Sequence, residues 1–286
     1  MDVAIGLPTT IPGVRGDEVL EWARRADAAG FSSLGTIDRM VYPNYESMVA
    51  LGAAAAVTER IGLITAIAIL PMRQNAALAA KQAATIQHLS GGRFVFGVAP
   101  GGRPDDFEAC GVPFENRGRR FEEMLDDMKR VWAGEERGYA GAIGPDVSGN
   151  PPPLIIGGQV DAAFRRAARY GDGWVSGGGP PEYFPAAVEK LEAAWREAGR
   201  EGEPRKLSLT YFSLDDDPEE QTRRTIGDYY SFAPDYADMI VDSTAKGEDE
   251  VKERVRGFEE ARCDELIMFP ASSNPEQVDR LAAAVL

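Results

Sequence analysis

Few groups in this chain could do acid–base or covalent chemistry. It has one histidine, His88, two cysteines, Cys110 and Cys263, and six lysines. One His and two Cys supply no ligand set for zinc, and no metal site is expected. Lys81, Lys129, Lys190, Lys246 and Lys252 fall within or beside helical patterns. Lys206 precedes a strand, so no lysine stands where a Schiff base would form. Paired strand-end carboxylates of the kind glycoside hydrolysis needs are missing. Asp38 is the one carboxylate directly after a strand. It is the catalytic candidate, as a proton donor or acceptor or a group that orients substrate. The alternative is a capping carboxylate paired to Arg39 or Arg60. His88 sits near a helix end, just before Leu89-Ser90-Gly91-Gly92, and reads as structural or solvated.

Glycine is abundant where bases are scarce. Gly157-Gly158 leads into a helical pattern starting at Asp161, and Gly177-Gly178-Gly179 leads toward one starting at Tyr183. Bare amides at a helix N-terminus attract anions, because the N–H groups and the helix dipole point the same way. The other reading is a tight turn and nothing more. A third loop, Ala99-Pro100-Gly101-Gly102-Arg103, adds a cation but lacks the G-x-G-x-x-G spacing of a dinucleotide fold. Arg117, Arg119 and Arg120 open a helix, where cations are unfavourable. Their counter-charge is Glu122, Glu123, a neighbouring Asp or a phosphate; otherwise they form a salt-bridged surface turn. Few bases and open glycine loops point to a cofactor that does the chemistry, with the protein orienting it.

The elements that must position these groups alternate along the chain. Strands are expected at Val3–Leu7, Ser33–Ile37, Ile61–Leu70, Phe94–Val98, Leu154–Ile156, Gly173–Ser176, Leu207–Phe212 and Glu265–Phe269. Several are apolar on both faces, as parallel strands covered by helices must be. Helical patterns intervene at Asp17–Ala29, Glu46–Thr58, Asn75–Ser90, Arg117–Trp132, Asp161–Tyr170, Tyr183–Ala198, Asp249–Ala261 and Pro275–Leu286. Eight strands alternating with eight helices predict an α/β fold, a (β/α)8 TIM barrel forming one domain over residues 1–286. A doubly wound open sheet is the alternative. Ala133–Pro153 and Asp215–Glu248 read as insertions, after the fourth and seventh strand units. The second carries Tyr229, Tyr230, Phe232 and Tyr236, either a lid over the barrel mouth or packing against the outer helices. In a barrel, chemistry belongs at the C-terminal strand ends.

Composition excludes several classes. The net charge is −15 with 44% hydrophobic residues, which opposes nucleic acid binding and disorder. The longest apolar run, Ile61 to Met72, is too short to span a bilayer. The MDVAIGLP start carries Asp2 and no basic segment, so no signal peptide is expected. Two cysteines fit a reducing compartment, and a cytoplasmic location is expected.

Four stretches resemble the luciferase-like monooxygenase superfamily of flavin- and deazaflavin-dependent barrels. They are Ala29-Gly30-Phe31-Ser32-Ser33-Leu34 running to Ile37-Asp38, and Arg60-Ile61-Gly62-Leu63 running to Leu70-Pro71-Met72-Arg73. The third is Ala83-Ala84-Thr85 with Leu89-Ser90-Gly91-Gly92-Arg93-Phe94, then Phe96-Gly97-Val98. The fourth is Ile156-Gly157-Gly158 with Arg166-Ala167-Ala168-Arg169-Tyr170-Gly171-Asp172-Gly173-Trp174, and the spacing of Arg117, Arg120, Phe121 and Glu123 to Trp132 also fits. The resemblance implies a non-proline cis peptide at Ala66–Ile67, bulging against the cofactor ring, with Ala99 and Gly101 nearby. It implies the cofactor phosphate on Gly157 and Gly158, with Gly177 and Gly178 beside it.

Two positions depart from the FMN-dependent pattern. Ile37-Asp38-Arg39-Met40 stands where a histidine is common, and Pro100 stands where a phosphate-binding arginine is common. The expected activity is therefore that of a coenzyme F420-dependent oxidoreductase moving a hydride between the deazaflavin and a small organic substrate. An FMN-dependent monooxygenase supplied by a partner flavin reductase is the alternative, and a non-catalytic flavin-binding barrel the third reading. Arg39, Arg73 or Arg103 would attract an anionic cofactor tail. Thr9, Met40, Tyr42, Tyr211 and Phe212 would line a moderately apolar substrate pocket. The alanine-rich surfaces of Ala53 to Ala56 and Ala76 to Ala84 favour a homodimer.

Overall fold

The computed structural model describes residues 1–286. The strands are β1 (Asp2–Gly6), β2 (Ser33–Thr36), β3 (Gly62–Thr65), β4 (Ala68–Ile69), β5 (Phe94–Ala99), β6 (Leu154–Gly157), β7 (Gly173–Ser176), β8 (Arg205–Ser213), β9 (Ala245–Lys246) and β10 (Glu265–Pro270). Every pairing is parallel, and β10 joins both β1 and β8, which closes the sheet. β3 and β4 are two halves of one staggered barrel strand, so eight strand positions surround the axis. β9 only extends the ladder beside the end of β8.

The eight expected helices are α1 (Gly16–Ala29), α2 (Ser47–Ala55), α3 (Ala76–Leu89), α5 (Arg117–Trp132), α6 (Asp161–Tyr170), α7 (Phe184–Glu197), α10 (Glu248–Glu260) and α11 (Glu276–Val285). Three further ones, α4 (Pro104–Ala109), α8 (Pro218–Thr222) and α9 (Pro234–Asp242), lie in connections after strands. All three carry a proline in the first turn, where its missing N–H costs nothing.

Strand alternation divides the core into two layers. Leu207, Leu209, Tyr211, Ile267 and Phe269 fill the barrel interior, while Phe212, Leu266 and Met268 face the helices. The interior is crowded enough to demand glycine. A Cβ on Gly6 would stand 2.1 Å from the Phe269 ring, and one on Gly35 2.7 Å from Ile267.

The third barrel position is not the continuous strand expected over Ile61–Leu70. It is interrupted at Ala66–Ile67, whose peptide is cis. Ala66 N–H donates to the Thr36 carbonyl at 2.7 Å, and Leu70 N–H to that of Ala99 at 3.1 Å. Between them the Ile69 amide finds a side chain instead, donating to Asp38 Oδ2 at 2.9 Å.

The two insertions lie at opposite ends of the barrel. Residues 133–153 follow α5 and lead into the start of β6, so they cover the N-terminal strand ends. Residues 215–248 follow β8 at its C-terminal end and hold α8, a π-helical turn over Arg223–Gly227, α9 and β9.

Candidate functional site

The C-terminal strand ends frame two adjoining cavities. The larger is a cleft of about 700 Å3. Barrel side chains Ile67, Ile69, Ala99, Val175 and Leu209 give it an apolar wall, and Asn116, Arg117, Arg119, Gln159 and Arg166 give it polar groups. The smaller is a chamber of about 340 Å3, mostly apolar, reached by Asp38, Ala66, Arg103, Tyr229 and Phe232. The two share Ile67, Ile69, Gly101, Gly102, Gly177, Leu209 and Tyr236.

The catalytic candidate and the residues expected around the cofactor all line these two cavities. Ile67, Ala99, Gly101, Gly157, Gly158 and Gly177 line the cleft; Asp38, Ala66 and Gly178 line the chamber. The glycines leave room that side chains would close. A Cβ on Gly157 would stand 3.0 Å from Ile67 Cγ2, and one on Gly101 2.6 Å from Ile69 Cγ2. Trp174 Nε1–H donates to the Gly158 carbonyl at 2.6 Å and fixes that loop.

The polar part of the cleft is arranged for an anion. Val160, at the N-cap of α6, brings no side-chain acceptor, so the first amides of that helix are left for a partner from outside. Arg117 Nε donates to the Gly101 carbonyl at 2.9 Å, and its plane lies 3.8 Å from the Phe114 ring, leaving both Nη groups unpaired. Arg166 holds Glu122 at 2.8 Å. Gly118 makes this approach possible, since a Cβ there would meet the Arg166 guanidinium at 2.6 Å. The arginine cluster at the start of α5 thus divides: Arg117 and Arg119 line the cleft, while Arg120 turns to the Pro113 carbonyl.

The carboxylate of Asp38 is largely committed. Oδ2 accepts from Ile69 N–H at 2.9 Å and from Arg73 Nη2 at 2.9 Å, and Arg73 also pairs with Glu46 at 2.7 Å. Its partner is therefore Arg73, neither Arg39 nor Arg60. Oδ1 makes no hydrogen bond to protein and remains an acceptor at the chamber wall.

The arginines expected to attract an anionic tail face inward instead. Arg73 is held by Asp38 and Glu46. Arg103 Nε pairs with Asp106 Oδ2 at 2.9 Å, and its Nη2 donates to the Asp38 carbonyl at 2.8 Å. Arg39 donates to the Tyr229 carbonyl and lies 4.7 Å from the Tyr42 ring and 5.1 Å from that of Phe232. The cations that do line the cleft are Arg117, Arg119 and Arg166; the first two belong to the cluster at the start of α5, whereas Arg166 lies in the middle of α6.

The aromatic insertion is a lid. Tyr229, Tyr230, Phe232 and Tyr236 all line the chamber. Tyr229 and Tyr230 pack with the barrel interior, and the Tyr230 and Tyr211 hydroxyls lie 2.6 Å apart. Burial raises the Tyr211, Tyr229 and Tyr230 phenols above their ordinary range, so all three are neutral. The expected substrate-pocket residues Thr9, Met40, Tyr42, Tyr211 and Phe212 line neither cavity. Phe212 fails because strand alternation turns it outward, and Tyr211 because it packs behind Tyr230. His88 is exposed near the C-terminal end of α3, far from the strand ends that carry the site.

A sequence model of the family described as luciferase-like monooxygenase matches residues 1–281. An uncharacterized protein of Mycobacterium tuberculosis is 32% identical over 224 residues, covering 68% of this chain and 77% of that protein. An FMNH2-dependent dimethylsulfone monooxygenase of Pseudomonas putida is 31% identical over 196 residues, 64% of this chain and 53% of that one. Among solved structures, an F420-dependent secondary alcohol dehydrogenase in complex with an F420-acetone adduct superposes with a TM-score of 0.82. The match covers 100% of this chain and 98% of that one at 20% identity, a likeness of fold.

Proposed function

Because the chain belongs to the luciferase-like monooxygenase family, we propose that it is a coenzyme F420-dependent oxidoreductase acting on a small organic substrate, with residues 1–286 as one catalytic domain. The residues present fit such a cofactor. Ala66, Ile67 and Ala99 would hold its ring, with Gly101 left bare for close approach. The amides after Gly157 and Gly158, with Gly177 and Gly178 beside them, would take its phosphate together with Arg117 and Arg166. When bound, the deazaflavin supplies the carbon that gives or accepts hydride. The chain's own part is alignment, exclusion of water by the lid, and an acceptor oxygen at Asp38 Oδ1.

The observation that carries the deazaflavin over FMN is the wall beside Ala66–Ile67. It holds no imidazole, and both of its carboxylates are tied, Asp38 to Arg73 and the Ile69 amide and Asp106 to Arg103. Alignment of two carbons tolerates such a wall. The Pseudomonas putida relative favours a second reading, an FMN-dependent monooxygenase fed by a separate flavin reductase. The open chamber beside the cleft speaks for catalysis over mere cofactor binding. The apolar outer face of α2 supports a homodimer.

Side-by-side fluorescence titrations of the apoprotein with coenzyme F420 and with FMN test this reading. Tight quenching by F420 and weak quenching by FMN is the expected result. Preference for FMN, with oxygen uptake when reduced FMN is added, would transfer the assignment to the second reading.

A further inference from the structure

The chamber has one cation with hydrogen-bonding capacity to spare. Arg103 is fixed on two sides, by Asp106 through Nε and by the Asp38 carbonyl through Nη2. Asp106 is anchored in turn, since its Oδ1 accepts from Met40 N–H at 2.9 Å and Val41 N–H at 2.8 Å. The guanidinium carbon lies 5.3 Å from the Phe232 ring centre and 5.8 Å from that of Tyr229, so the lid packs over it. Nη1 donates no well-formed hydrogen bond within the protein, the Tyr229 phenol being the neutral group beside the guanidinium. A guanidinium held this way is a preorganised donor whose position costs a ligand little to exploit.

The surroundings narrow what the donor would bind. The chamber's walls are mostly apolar, from Ile37, Ile67, Phe107, Leu209 and Phe232. Its volume of about 340 Å3 lies at the small end for ligand sites. The charges around it balance only as a group. Arg103 faces Asp106 and Arg73 faces Asp38 and Glu46, while Arg39, packed on the same Tyr229 and Phe232 rings, is the third cation against these three carboxylates. An entering anion would leave this balanced group of three cations and three carboxylates with an uncompensated negative charge, whereas a neutral oxygen would gain the free N–H alone.

We propose that Arg103 is the specificity-determining residue of this chamber, and that the substrate is a small, neutral, mostly apolar molecule whose single acceptor oxygen, of the carbonyl kind, is held by Arg103 Nη1. This rests on the reading of the adjoining cleft as the cofactor site.

Ligand-detected NMR on the purified chain, without and with cofactor, tests it using cyclohexanone, methylcyclohexane and cyclohexanecarboxylate. Cyclohexanone is expected to bind at least about tenfold more tightly than either of the others. Arg103→Met should erase that preference while leaving methylcyclohexane unchanged, a pattern that a merely structural role would not give. Equal binding of ketone and hydrocarbon, preference for the carboxylate, or a preference that survives in Arg103→Met overturns the proposal. Should Arg103→Met fail to fold, the wild-type series decides by itself, and Arg103→Lys should show a reduced preference. Failure of F420 and FMN to bind beside an intact ketone preference defeats the cofactor reading alone. Normal cofactor binding with no ketone preference defeats this proposal alone.

Discussion

At Gly97 the barrel strand has no space for even one methyl group. A Cβ there would sit 1.9 Å from the Thr65 carbonyl oxygen, a backbone atom that cannot swing aside. Thr65 also donates its hydroxyl to the Gly97 carbonyl at 2.7 Å, which binds the two strands at the interruption. Gly97→Ala should cost about 2 kcal/mol or more, as overpacking against rigid atoms does. Urea unfolding measures it against Gly102→Ala, whose Cβ meets nothing within 4 Å and which should stay within about 0.5 kcal/mol of wild type. Asp38 teaches the same lesson about fixed neighbours. Its place after a strand marked it as a candidate, but the interruption of the next strand supplied the amide that claims its Oδ2.

The most recognisable stretches of sequence prove to be supports for elements, with the chemistry elsewhere. Arg93, in the Leu-Ser-Gly-Gly-Arg-Phe block, reaches the Ile61 carbonyl at 2.5 Å, the Thr58 carbonyl at 3.0 Å and the Ser90 carbonyl at 2.8 Å. It ties the ends of α2 and α3 to the start of β3. Asp27 of α1 does complementary work on amides, accepting from Glu59, Arg60 and Ile61 at 2.9, 3.1 and 2.7 Å. Burial alone would raise its pKa, but these amides outweigh that and hold the carboxyl below the usual range. A folded-state pKa below the unfolded one gives stability that is full above about pH 4 and fades as pH falls through the folded value. Asp27→Asn should therefore cost about 1 kcal/mol at neutral pH. Thermal melting at pH 7 and pH 3 should show a gap between the two proteins that closes in acid; a gap unchanged by pH would refute the account.

Viewed whole, the molecule carries a net charge of −15, yet α2 (SMVALGAAA) has no charged residue. Val49 is 69% exposed, with Ala53 and Ala56 open beside it and Leu78 of α3 52% exposed. Such a face on an acidic protein is a reasonable place for self-association, because it buries apolar area without bringing like charges together. The long alanine run of α3 plays no such part, since Ala79, Ala80, Ala83 and Ala84 pack inside the chain. Sedimentation velocity should find a dimer that Val49→Glu converts to monomer, and a monomeric wild type would remove the idea. No helix is long and apolar enough to cross a membrane.

The sequence by itself determined the barrel, because strands buried on both faces must be apolar throughout and the helices between them must carry one apolar stripe. It also determined the glycine loops, since only glycine allows backbone that close to its neighbours at Gly101 and Gly157. Tertiary structure alone decided the fate of the arginines and the aromatics. Arg73 finds Asp38 35 residues away, Arg103 the Asp38 carbonyl 65 away, and Arg39 the Tyr229 carbonyl 190 away. No local spacing encodes such pairs. They exist because closing the sheet brings the ends of β2, β4 and β5 together beneath the insertion after β8, where buried cations must find acceptors and aromatic faces or not be buried at all.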